Sequence, residues 1–111
     1  MIELDTRHTP GTSVIRVGGR LTMVDAAAFR SAVAEAVAGS STMVVVDLAG
    51  CEFMDSSGLG AVVAGLKAAR QAGGDLRIAA PTPQVLTVLR LTSLDRVLRP
   101  FASVAEALDV D

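Results

Sequence analysis

The stretch Thr42-Met43-Val44-Val45-Val46-Asp47-Leu48-Ala49-Gly50-Cys51-Glu52-Phe53-Met54-Asp55-Ser56-Ser57-Gly58-Leu59-Gly60 decides the fold. It opens on a short, continuous apolar run of strong β propensity, the pattern of a central strand covered on both faces. It closes on Asp55-Ser56-Ser57-Gly58, capping side chains placed directly ahead of Leu59, Val62, Val63 and Leu66, which fall on one helical face. A buried strand thus leads through a short connection into a helix that begins at the serines. Gly73-Gly74 ends that helix.

Working outward, residues 3–7 break at Thr9-Pro10-Gly11-Thr12, and Ser13-Val14-Ile15-Arg16-Val17 then alternates before Gly18-Gly19, which predicts a hairpin. Asp25 is a plausible N-cap for a helix whose Phe29, Val33, Ala36 and Val37 share a face up to Gly39. Downstream, Leu76-Arg77-Ile78-Ala79 reads as a strand, Pro83 as the start of a helix carrying Val85, Val88 and Leu89, residues 96–101 as a short edge strand, and 104–108 as a last helix. The order β-β-α-β-α-β-α-β-α predicts an α/β fold: a single domain, 1–111, with a mixed four- to five-stranded sheet flanked by helices.

Composition narrows the function. With 111 residues, half of them apolar and a fifth charged, the chain has enough core for one folded domain and is a poor candidate for disorder. The apolar run 58–66 stops at Lys67, well short of the roughly 18–20 residues that a membrane-spanning helix needs, so no membrane insertion is expected. A formal charge of −2, three Phe and no Trp or Tyr leave neither a basic patch nor a stacking platform for nucleic acid. The lone cysteine, Cys51, has no partner for an intramolecular disulfide, and the opening MIELDTRH lacks a basic and an apolar targeting region. A cytoplasmic location is expected.

Enzyme chemistry finds little support. His8, the only histidine, lies in the predicted hairpin, so neither a Ser-His-Asp arrangement nor a multi-histidine metal site assembles locally. Gly58-Leu59-Gly60 begins like a dinucleotide loop, but Val63 stands where a third small residue belongs. No catalytic group, metal or cofactor is expected. Cys51 reads as a buried thiol, since nothing basic adjoins it to lower its pKa. Two features stay open. Asp55-Ser56-Ser57 either only caps the helix or also accepts a phosphate, which first-turn N–H groups and the macrodipole tolerate. Ala61, Ala64, Gly65 and Ala68 form a stripe of small residues that either packs on a neighbouring helix or offers a partner a smooth face.

The segment from Val46 to Gly60 closely resembles the signature region of the STAS domain family, and of its bacterial anti-sigma factor antagonists in particular; the likeness continues through Gly73-Gly74 and from Pro83 to Leu94. The resemblance implies a mixed sheet with surrounding helices. It also implies a protein whose unphosphorylated form binds an anti-sigma factor that is also a serine kinase, freeing a sigma factor for transcription. The phosphoacceptor is then the serine directly after the motif's Asp, here Ser56, and a PP2C-type phosphatase restores the active form. Partner contacts are expected from Arg20, Thr22, Asp55, Ser56, Ser57, Gly58, Ala61 and Ala64. The chain departs from the family where a loop that typically reads Gly-Glu-Leu-Asp is here Gly19-Arg20-Leu21-Thr22, losing both acidic positions. Two other readings remain at this stage: a non-catalytic STAS subunit of a larger assembly, such as a lipid-transport complex or stress-signalling scaffold, and a nucleotide-binding module using the helix N-terminus.

Overall fold

The computed structural model describes residues 1–109; Val110 and Asp111, the end of the expected domain 1–111, lie outside the described residues. In chain order the elements are β1 (Ile2–Thr9), β2 (Thr12–Val17), β3 (Gly19–Leu21), α1 (Met23–Ala38), β4 (Met43–Asp47), β5 (Cys51–Met54), α2 (Ser56–Gln71), β6 (Asp75–Ala79), α3 (Pro83–Leu91), a 3₁₀ turn (Leu94–Arg96), β7 (Pro100–Phe101) and α4 (Val104–Leu108).

The valine run behaves as its composition demands. Val44, Val45 and Val46 are fully buried, and β4 is the middle strand of a five-stranded sheet ordered β1-β2-β4-β6-β7. β1 and β2 form the antiparallel hairpin, turning at Pro10-Gly11, and the remaining pairs are parallel, so the sheet is mixed. Alternation along β4 divides its side chains between two cores. Val44 and Val46 face a large cluster with Phe29, Val33, Val62, Leu66 and Leu89, whereas Val45 joins Val14, Ala79 and Ala107 beneath α4.

Helices α1 and α2 pack side by side over the first face. With almost no aromatic residues available, close approach supplies the density: a β-carbon at Gly65 would stand 3.1 Å from Val33 and 3.4 Å from Phe29. Phe29 is wholly buried there, so its truncation to Ala is expected to cost about 3–5 kcal/mol.

Five expectations need correction. Segment 19–22 is not a loop, because Gly19–Leu21 forms a strand, and the connection before the serines contains β5; the two pair in parallel as a separate two-stranded sheet. Three and four residues are too few to show an alternation, and their pairing spans some thirty positions. The N-cap of α1 is Thr22, which puts Asp25 inside the first turn. The edge strand at 96–101 shrinks to Pro100–Phe101 because Leu94–Arg96 winds into the 3₁₀ turn. In α2, Ala61 is fully covered in the main core.

Candidate functional site

Register in the small sheet sets the site. Arg20 lies opposite Phe53 and Leu21 opposite Met54, and each strand then passes through one residue into a helix, Thr22 into α1 and Asp55 into α2. Two helix N-termini therefore open beside each other at one end of the domain. The far edge of β5 is closed by side chains of the α3 region. Gln84 pairs with Met54 as a strand would: the Met54 N–H donates to Oε1 at 2.8 Å, and Nε2 donates to the Met54 carbonyl at 3.0 Å. The Thr82 hydroxyl donates to the Cys51 carbonyl at 2.9 Å. Neither residue gave a signal in the sequence, because each meets β5 from some thirty positions away.

Ser56 is the first residue of α2 and is exposed. The cap belongs to Asp55, whose Oδ1 accepts the Gly58 N–H at 2.8 Å from an extended backbone. Among the described residues the Ser56 hydroxyl makes no hydrogen bond, which leaves it available to chemistry at the surface. Ser57 and Asp55 are half-buried. Gly58 is buried, and a β-carbon there would overlap the Leu21 carbonyl, so this glycine lets β3 press against the first turn of α2. The Asp55 N–H donates to that same carbonyl at 3.4 Å.

The structure thus brings Arg20, Thr22, Asp55, Ser56 and Ser57 to one end of the molecule. Gly58 and Ala61 are covered by their own domain and offer a partner no surface, contrary to expectation. Ala61 and Gly65 of the small-residue stripe are buried in the domain, whereas Ala64 is half-buried and Ala68 exposed, and these two line a shallow groove against Arg30, Val33 and Ala34 of α1. The Arg20 guanidinium stacks over the Phe53 ring, 4.5 Å from its centroid.

Two surface residues escaped the sequence reading. Met23 and Val24, in the first turn of α1, are 74% and 86% exposed, an apolar step beside the α2 N-terminus. The Thr22-Met23-Val24-Asp25 pattern, a hydroxyl residue followed three positions later by an acid, was the signal that would have started α1 early enough to reveal them.

Cys51 is fully buried beneath this end, its thiol 3.5 Å from the Phe53 carbonyl. Burial pushes the thiol above its usual pKa, outweighing the hydrogen bonds that would lower it. His8 stands 3.6 Å from Asp5 in β1, on the hairpin. No group of three His, Cys, Asp or Glu residues able to hold a metal ion occurs among the described residues, and no helix among them is long and apolar enough to cross a membrane.

The architecture and this end of it define a small α/β domain that presents an exposed serine at a helix N-terminus, backed by a two-stranded parallel sheet. The chain belongs to the STAS domain family, whose sequence pattern matches residues 3–107. It is 30% identical over 100 residues to the anti-sigma-F factor antagonist RsfB of Mycobacterium tuberculosis, covering 88% of this chain and 80% of that protein. The fold superimposes on the anti-sigma factor antagonist SpoIIAA in its unphosphorylated form with a TM-score of 0.83 at 26% identity, covering 98% of this chain and 94% of the other. It also superimposes on the Bacillus cell fate determinant SpoIIAA in its phosphorylated form, with a TM-score of 0.75 at 26% identity and coverage of 98% and 97%.

Proposed function

We propose that this protein is an anti-sigma factor antagonist that acts by binding, in the cytoplasm, and is switched off by phosphorylation of Ser56. One observation carries the reading: Ser56 is exposed at the first position of α2 and its hydroxyl makes no hydrogen bond among the described residues, while its neighbour Asp55 holds the cap. A phosphate can therefore be added without dismantling the helix start. The similarity to RsfB, and to SpoIIAA in two phosphorylation states, supports the same reading.

The unphosphorylated end offers a partner the Ser56 hydroxyl, the exposed Arg20 and the apolar step of Met23 and Val24. The partner is an anti-sigma factor with serine kinase activity, and occupying it releases the sigma factor. Phosphorylation adds nearly two negative charges in the middle of that surface. The helix N-terminus stabilises them, but a partner must desolvate and oppose them, so the complex loses far more than the fold does. A PP2C-type phosphatase reverses the step.

Retrieval from the native cytoplasm tests this with the wild type, Ser56→Ala and Ser56→Asp as bait. The wild type and Ser56→Ala should retain a kinase-type anti-sigma factor, and Ser56→Asp should lose it. Incubation with that kinase and ATP should place phosphate on Ser56 by tandem mass spectrometry; phosphate chiefly on Ser57 or elsewhere overturns the assignment.

A further inference from the structure

The hairpin leaves one edge of the main sheet open. β1 is the outer strand of the order β1-β2-β4-β6-β7, and the backbones of Met1 and Gly18 exchange two hydrogen bonds, 2.7 Å from the Met1 amine and 2.8 Å from the Gly18 N–H. In an antiparallel ladder such pairs alternate with pairs that make no mutual bond. Glu3 and Arg16 therefore bond to each other, whereas Ile2 opposite Val17 and Leu4 opposite Ile15 turn their N–H and C=O groups away from β2. Nothing among the described residues bonds to those outward groups. A register irregularity and a proline, two devices that blunt an edge, come only after Asp5.

A groove runs beneath this edge. Ile2 and Leu4 are half-buried against the main core, and Ala28, Ser31, Ala32 and Glu35 of α1 form the facing wall of a cleft of about 380 Å³. That volume falls within the roughly 300–1,000 Å³ that binding clefts span. It stays open because Ala28 and Ala32, one helical turn apart, carry too little side chain to fill it. Charge at its margins has one sign. Glu3, on the other face of β1, and Glu35 are exposed, and neither carboxylate has an ion-pair or hydrogen-bond partner among the described residues. Arg16, opposite Glu3 in register, reaches Asp5 instead, at 3.9 Å.

We propose that the open edge of β1 accepts an extended segment of a partner protein in which a basic residue stands between two apolar ones. The segment adds as a further strand, its backbone bonding to Ile2 and Leu4. Directly opposed residues share a face, so the apolar side chains opposite Ile2 and Leu4 enter the groove over Ala28 and Ala32, and the basic one lies beside Glu3. Glu35 adds its charge at the groove margin. A second copy of this chain fits worse: paired antiparallel through Ile2 and Leu4, it would set Glu3 against Glu3 or Asp5 of the copy, and like charges directly opposed destabilise a sheet.

Amide-resolved NMR titration of the full chain tests the proposal with three end-blocked peptides: Thr-Val-Lys-Val-Lys-Val-Thr, its counterpart with Glu in place of Lys, and the Lys peptide N-methylated at every valine. The Lys peptide should give saturable shifts at Ile2, Leu4, Ala28 and Ala32 and should slow amide exchange at Ile2 and Leu4. The Glu and N-methylated peptides should each bind at least about tenfold more weakly, the one for its charge and the other for its lost backbone donors. Combining Glu3→Lys with Glu35→Lys, both exposed changes, should invert the preference between the Lys and Glu peptides. Ile2→Pro, which removes an outward N–H, should leave the sedimentation of the chain unchanged. Shifts that rise linearly without saturating, equal affinity for the three peptides, or an unaltered preference in the double variant would each overturn the proposal. A dimer that Ile2→Pro abolishes would overturn it too, by making a second copy the occupant. None of these results bears on whether Ser56 is a phosphoacceptor.

Discussion

Gly58 lies against the carbonyl of Leu21 with no room for a β-carbon between them, and this contact seats α2 on β3. Gly58→Ala is therefore expected to force the two elements apart and to destabilise the domain by about 1–3 kcal/mol, the usual cost of overpacking. Gly60, two positions on, is exposed, and a β-carbon there would meet nothing within 4 Å. Gly60→Ala should stabilise the helix by about 0.5–1 kcal/mol. Opposite shifts in the urea midpoint of two glycine variants in one helical turn check both; an unchanged or raised midpoint in Gly58→Ala would show that the Leu21 contact is not what constrains Gly58.

Asp55 caps α2, which leaves the proposed switch at Ser56 separable from the cap. Removing the carboxylate that accepts the Gly58 N–H should cost about 1 kcal/mol in Asp55→Ala, whereas Ser56→Ala, which breaks no side-chain hydrogen bond among the described residues, should melt within a degree or two of the wild type. The phosphorylated protein should also stay folded while losing its partner. Thermal denaturation of the four forms, alongside binding to the anti-sigma factor, reads this directly. A phosphorylated form that melts many degrees lower would make the switch an unfolding event.

The main sheet was legible because its signals are local: the valine run, the Pro10-Gly11 turn and the paired glycines after α2 each carry their meaning within a few residues. The helix start at Ser56 was legible for the same reason. What escaped depends on partners far along the chain. Gly19–Leu21 becomes a strand only because Cys51–Met54 lies beside it, and Cys51–Met54 stays in place partly because Gln84 and Thr82 satisfy its outer edge. A stripe of small residues such as that of Ala61 looks the same whether its own domain or another protein covers it, and the burial of Gly58 depends on the Leu21 carbonyl of β3, which no local pattern reveals.

Cys51 predicts a pH dependence. Burial raises its folded pKa above the unfolded value, so in the alkaline range the unfolded chain gives up a thiol proton that the folded domain keeps. The native state then binds more protons, and stability falls as pH rises. The contribution is fully present below about pH 8.5 and is lost at about 1.4 kcal/mol per pH unit above it, until the folded thiol itself ionises. Cys51→Ala should lack this component, so the stability gap between it and the wild type should narrow from pH 8 to pH 10 in urea titrations. A constant gap would show that the thiol ionises equally in both states.

Arg20 stacked on Phe53 gives the proposed partner surface a positive charge held in one place, where the family typically carries acid. A surface adapted to an acidic strand would present basic groups that Arg20 repels, and like-charge contacts at an interface cost several kcal/mol. The cognate anti-sigma factor is therefore expected to be acidic or neutral opposite Arg20. Arg20→Glu should weaken binding by about tenfold or more at low salt and by less at moderate salt, since an exposed charge pair is screened. Arg20→Met keeps side-chain bulk near Phe53 and removes only the charge, so it should fall between the two. Folding should barely change in either variant, because an exposed cation–π contact contributes only about 0.5–1 kcal/mol. Titration calorimetry at two ionic strengths decides the matter. Equal affinities of all three proteins at both salt levels would place Arg20 outside the interface and leave recognition to Ser56, Met23 and Val24.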